Sequence, residues 1–244
     1  MLLALFLIDL AAGLLAFLPF AGRRNAGVKF YRFIFITSGV LAACAAGAHA
    51  VAHARELAIG DAVCVALTII VWFVLRYPKR FVYRAASVVM IAAYIAAGVA
   101  AWRAATQASL GWSIAGALSS IALLGSVNLA MILGHWYLVV RGMSIDPLKR
   151  LTIATLVTTI VKIAVVAAAL TLVWSDIAVR QGIFFWMRAG WGLAGPLLLY
   201  PMVWGTVRLR STMAATGILY VDVVAVVIGE VLGGWLSAIA HLPV

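Results

Sequence analysis

The stretch RLRSTMAATGILYVDVVAVVIGEVLGGWLSAIA, residues 208–240, decides how this chain is read. It opens on Arg208 and Arg210 and then runs almost wholly apolar to Ala240, apart from two carboxylates, Asp222 and Glu230. A spanning helix needs about 20 mostly apolar residues. A charged side chain inside a bilayer is costly and is usually kept for a partner, a proton or a ligand. The stretch therefore reads as a membrane helix, and its two acids are the first place to look for function.

The rest of the chain follows the same pattern. Hydrophobic residues make up 66% and charged residues 10%, against roughly one-quarter charged in a soluble domain. At about 20 residues per span, the length holds about eight spans and leaves no room for a soluble domain. The expected spans are 2–20, 33–54, 58–76, 84–102, 112–140, 150–174, 183–206 and 212–240. The expected fold class is all-α: a polytopic integral membrane protein, one transmembrane domain over residues 1–244, in two four-helix groups. The fifth span is long enough to tilt.

A net charge of +11 would suit nucleic-acid binding, but its placement speaks for topology instead. Thirteen of the 18 Lys and Arg fall in four short segments, in groups of four, four, three and two. They are Arg23, Arg24, Lys29 and Arg32; Arg76, Lys79, Arg80 and Arg84; Arg141, Lys149 and Arg150; Arg208 and Arg210. These follow spans one, three, five and seven, whereas the intervening loops hold only Arg55, Arg103 and Arg180. Cytoplasmic loops carry the positive excess, so both termini are expected outside the cytoplasm of a cell (inner) membrane, with anionic lipid as a contact. No basic run precedes the first apolar stretch, which reads as an uncleaved span. Cys44 and Cys64 fall within spans two and three and read as small apolar fillers.

The halves share an outline: each turns through a basic segment of about ten residues, 23–32 and 141–150, into a Thr-containing span. That outline allows a parallel four-plus-four duplication. Span seven carries Gly190, Gly192, Gly195, Pro196 and Pro201. Proline removes a backbone hydrogen bond, so this helix is expected to be kinked or locally opened.

A rise of about 1.5 Å per residue gives a rough depth for each polar side chain. Asp9, Asn128, Lys162 and Asp222 fall about 16–20 Å from the cytoplasmic end, near the bilayer centre. His49, Arg188 and Glu230 fall at about 24–30 Å, with His53 and Glu56 at the outer edge. The expected site thus has two layers. Asp9, Asn128, Lys162 and Asp222 form a central proton path or polar layer; His49, His53, Arg188 and Glu230 form an outer polar or quinone-binding site. Opposite charges at one depth reduce each other's desolvation cost, so the same residues would also serve as interhelical pins.

His49 and His53 share a helix face, but the Glu-rich helix motifs of di-iron or zinc sites are absent and no metal site is expected. His135 lies about 15 Å from either along the membrane normal, too far to complete a bis-histidine haem. The chain has no Walker A, GxGxxG, HExxH or nucleophile-elbow motif and no catalytic residue is assigned. In span number and terminus placement it resembles the membrane anchor subunits of polysulfide and dimethyl sulfoxide reductases. The resemblance carries over no residues, and implies contact with quinone without bound haem. Haem A synthase is similar in span number, but its histidine pattern on paired helices is missing here.

The function expected is that of an integral-membrane accessory subunit of a respiratory-type electron-transfer complex. It would contribute a quinone pocket or proton path, with quinone rather than haem as cofactor. Its partners would be redox protein subunits and membrane lipids, not nucleic acid. A small proton-coupled transporter and a membrane scaffold or assembly factor are the alternatives.

Overall fold

Two glycines interrupt what would otherwise be one fifty-residue apolar helix, Leu2–Val51. Gly22 (φ 68°, ψ 116°) and Gly27 (φ 80°, ψ 166°) adopt positive-φ backbone, which glycine reaches without the clash a Cβ would cause. They bracket a π-helical turn, Gly22–Ala26, between α1 (Leu2–Ala21) and α2 (Gly27–Val51). The chain reverses there. Phe30 and Ile34 of α2 are buried, and the Tyr31 hydroxyl donates to the Leu18 carbonyl at 3.2 Å.

The computed structural model describes residues 1–75, 80–140, 142–180 and 182–244, with side chains throughout except at 80 and 176–180. The topology readings that rest on Arg76, Lys79, Arg141 and the side chains of Arg80 and Arg180 lie outside the described residues. The remaining helices are α3 (Arg55–Val74), α4 (Arg80–Thr106), α5 (Leu110–Val139), α6 (Asp146–Arg180), α7 (Gly182–Met187), α8 (Gly195–Arg208) and α9 (Thr212–Ala240). A second π-helical stretch, Arg188–Ala194, joins α7 to α8. No strand occurs among the described residues.

Six runs among the described residues are long and apolar enough to cross a membrane, fewer than the eight spans expected. The difference has two causes. The first run holds two of the predicted spans. The predicted span 183–206 is divided among α7, the π-helical stretch and α8, no one of which is long enough alone. The opening expected there is present: Pro196 stands in the first turn of α8 and Pro201 lies inside it. Just before them, the Gly195 amide reaches back to the Gly190 carbonyl in the wider π spacing.

Helix α1 packs on α2, α2 on α3, α3 on α4 and α4 back on α1. Likewise α5 packs on α6, α6 on α8, α8 on α9 and α9 on α5. The result is two closed four-helix rings, joined chiefly where α1 crosses α5. The crossing is set by Gly13 and Gly125: a Cβ on Gly13 would lie 2.3 Å from the Ile121 carbonyl oxygen and 2.6 Å from Gly125 Cα. Small residues of this kind let membrane helices approach to backbone contact.

Burial runs opposite to a water-soluble bundle. On α6, Val157, Ile160 and Val161 are exposed while Thr155, Thr159 and Lys162 are buried, the arrangement expected where the surrounding solvent is hydrocarbon. The basic segments collect at one end. Arg23 Nη2 donates to the Leu75 carbonyl at 3.2 Å and its guanidinium lies over Tyr83. At the same end Phe30 meets Trp136 edge-on, and Tyr220 faces His135. At the opposite end His241 Nδ1 meets the Thr106 carbonyl at 2.7 Å.

Candidate functional site

Four of the charged side chains that the sequence places inside the membrane, Asp9, Lys162, Arg188 and Glu230, belong to one chain of contacts across both rings. Glu230 of α9 is its centre. Arg188, the first residue of the second π-helical stretch, donates from Nη2 to Glu230 Oε1 at 2.8 Å. Lys162 of α6 lies 3.3 Å from Glu230 Oε2. The same ammonium donates to Ser120 Oγ of α5 at 2.7 Å and sits 5.6 Å from the centre of the Trp102 ring of α4. Trp102 Nε1 in turn donates to Asp9 Oδ2 of α1 at 2.8 Å. All six side chains are buried.

Glycines make the room. A Cβ on Gly233 would come within 2.7 Å of Arg188 Nε, and one on Gly192 within 2.8 Å of Arg188 Nη1. Gly192 and Gly229 also face each other, a Cβ on either meeting the other's Cα within 2.5 Å. A Cβ on Gly98 would meet Asp9 Oδ1 at 2.7 Å, and one on Gly116 the Trp102 ring at 2.7 Å. The Asp9 carboxylate, the Trp102 indole and the Arg188 guanidinium therefore sit in slots that an alanine would close.

Electrostatically the group is matched. Two cations share one carboxylate, and Asp9 lies within electrostatic reach of both Lys162 and Glu230. With both acids ionised, four charges sum to zero. Pairing of this kind offsets much of the cost of burying each ion. Orphan atoms remain: Asp9 Oδ1 and Arg188 Nε and Nη1 have no hydrogen-bond partner.

Beside the group lies a cavity of about 420 Å³, within the size range of small-molecule sites. Its polar wall is Asp9, Trp102, Ser120 and Glu230. The rest is apolar, from α1, α5, α7 and α9, and includes Leu3, Phe184 and Val231, which are exposed on the hydrocarbon-facing surface. The cavity thus has an apolar mouth toward the lipid and an acidic, hydrogen-bonding floor. Lys162 and Arg188 stand behind Glu230 and do not line it.

The two predicted layers are not kept apart. Lys162 and Asp9, assigned to the central layer, join Glu230 and Arg188, assigned to the outer one. Lys162 pairs with Glu230 and not with Asp222. Helix α6 begins at Asp146, four residues before the predicted span, which puts Lys162 about 6 Å further along its helix than counting from residue 150. Asp222 is buried, and among the described residues it has no charged neighbour and its Oδ1 has no hydrogen-bond partner. Asn128 turns back to donate to the Leu124 carbonyl of its own helix at 2.8 Å.

The histidines belong elsewhere. His49 is buried in the first ring, with Nδ1 2.8 Å from Asp61 Oδ2. His53 is exposed, at φ 57° in the turn after α2. Neither reaches Arg188 or Glu230. No group of three metal-ligating side chains occurs among the described residues. Cys44 is exposed, Cys64 is buried, and both are free thiols.

Asp61, Trp102 and Ser120 were missed. Asp61 had a signal: with Cys64 and Thr68 it recurs every three to four residues along an apolar helix, a polar stripe on one face. That stripe is buried, and Thr68 Oγ1 meets the Tyr94 hydroxyl at 2.7 Å. Ser120 and Trp102 carried none, because both types are ordinary in membrane helices.

No family model, no curated protein and no solved structure matches this chain. Its class is therefore set by the fold alone: a multi-pass, all-α membrane protein with a buried ion cluster at the floor of a lipid-facing cavity.

Proposed function

We propose that the chain is an integral-membrane subunit of an electron-transfer assembly, and that the Asp9–Glu230 cavity holds the head group of a lipid-soluble quinone. One observation carries this reading: an apolar cavity of about 420 Å³ opens among hydrocarbon-facing side chains and ends on buried carboxylates, a hydroxyl and an indole. A quinone enters from the bilayer, keeps its tail among apolar side chains, and exchanges protons at its head. The apolar mouth and ionisable floor suit each of these demands. In this reading the electrons pass to or from redox centres on partner subunits.

In this reading α1 and α2 cross the membrane separately and the segment from α7 through α8 makes one composite crossing, for eight in all. The end that gathers Arg23, Arg24, Lys149, Arg150, Arg208 and Arg210 faces the cytoplasm, following the positive-inside bias. The buried ion cluster then lies toward the outer half of the bilayer.

The test is purification in mild detergent, followed by mass spectrometry of copurifying proteins and solvent extraction of bound quinone. Near-stoichiometric quinone, lost in Val231→Trp at the cavity mouth, together with cytochrome or iron–sulfur partners, is the expected result. A well-folded protein with neither quinone nor redox partner would refute it.

A further inference from the structure

We infer that Asp9 is the carboxyl that exchanges a proton with the occupant of the cavity, while Glu230 serves as its fixed counter-charge and Asp222 takes no part. The inference rests on the cavity reading and divides labour among three buried acids that look equivalent in the sequence.

The division follows from their partners. Each oxygen of Glu230 faces its own cation, Arg188 at 2.8 Å and Lys162 at 3.3 Å. Protonating Glu230 would leave two buried cations without the charge they share, and removing one member of a buried pair is strongly unfavourable. Its negative charge is therefore a fixture. Asp9 is held by one neutral donor, the Trp102 indole at 2.8 Å, and its second oxygen is unpartnered. An ionised carboxylate accepts hydrogen bonds only, whereas a protonated one also donates. Asp9 can thus accept from a quinol hydroxyl in one state and donate to a quinone carbonyl in the other, with Trp102 satisfied in both.

The titratable groups within electrostatic reach of Asp9 are Lys162, from α6, and Glu230, from α9. They act in opposite senses on its charge, so Asp9 is not locked in the way Glu230 is. Gly98 of α4 lies close over Asp9 Oδ1 without a side chain, and the oxygen is buried and unpaired among the described residues. Asp222 lies on another face of α9 and is not among the residues lining this cavity.

A hydrophobic carbodiimide tests this directly. A protonated carboxyl in an apolar site gives its proton to a carbodiimide nitrogen while a carboxyl oxygen bonds the central carbon. The O-acylisourea formed then rearranges to a stable N-acylurea, conserving all atoms of both reactants. The full-length protein in membranes is treated with dicyclohexylcarbodiimide, with and without a short-chain 1,4-benzoquinone, and the adduct is mapped by peptide mass spectrometry. The expected adduct is on Asp9, suppressed about tenfold by saturating quinone and absent in Asp9→Asn. Val231→Trp, which leaves the acid in place and narrows the mouth, should slow labelling. An adduct on Glu230 or Asp222 with none on Asp9 would overturn the inference. An adduct on Asp9 that quinone does not protect would leave its proton exchange intact and overturn the quinone reading of the cavity.

Discussion

A single carboxylate, Glu230, is shared by two buried cations, so removing its charge should be worse than removing that of any other buried acid. Glu230→Gln leaves Lys162 and Arg188 facing an amide, an uncompensated burial that costs on the order of 3–5 kcal/mol. A fall of several degrees in the detergent melting temperature and loss of the monodisperse peak on gel filtration are expected. Asp222→Asn removes a carboxylate with no charged neighbour and an unpartnered oxygen. It should leave the melting temperature unchanged or raise it; a loss matching that of Glu230→Gln would contradict the separation of the two acids. Gly233→Ala places a Cβ 2.7 Å from Arg188 Nε, an overpacking worth about 1–3 kcal/mol, and should destabilise without altering any charge. The sequence made Asp9, Lys162, Arg188 and Glu230 conspicuous, since each is a charge in an apolar run. It did not reveal who pairs with whom. Asp222 and Glu230 are eight residues apart, about 12 Å of rise and about 80° of rotation, so they face different neighbours. Residue counting gives both of these, but not which neighbouring helix each face meets.

Glycine acts on whole helices in two distinguishable ways. At Gly13 the demand is space, because a Cβ would meet the Ile121 carbonyl and Gly125 Cα of the crossing helix. At Gly27 nothing lies within 4 Å and the demand is conformational, at φ 80°. Gly13→Leu should therefore force α1 from α5 and abolish a folded product. Gly27→Ala should cost only about 1–3 kcal/mol, the strain of placing a Cβ in the positive-φ extended region that glycine alone enters readily. Thermal melting of the two variants side by side checks the contrast, and equal losses would contradict it. Much at this scale was legible. The break in the predicted span 183–206 follows from its prolines and glycines, and the structure answers it with a π-helical stretch opening on Arg188. The π turn at Gly22–Ala26 was not foreseen, because both glycines sit in a polar, basic segment that any loop would also explain.

Orientation belongs to the whole molecule. In a variant lacking Cys44 and Cys64, a cysteine at exposed position 24, within the first π turn, should react with an impermeant maleimide only after cells are broken. One at exposed position 56, at the start of α3, should react in intact cells. The reverse pattern would invert the topology. Two groups of four could be read from the spacing of the basic segments. That each group closes into a ring, and that α1 and α5 form the seam, could not, because helix order depends on which faces carry glycine at matching heights.

The position of Glu230 on α9 has a consequence for how the protein is made. Lys162 and Arg188 leave the ribosome well before their only shared carboxylate, so during insertion two cations enter the bilayer with their neutralising partner still unmade. The nascent chain must shelter them, in water near the translocon or beside a membrane chaperone, until the ninth helix arrives. A chain stopped before Thr212 should accordingly be recognised as defective and degraded, however well its earlier helices are inserted.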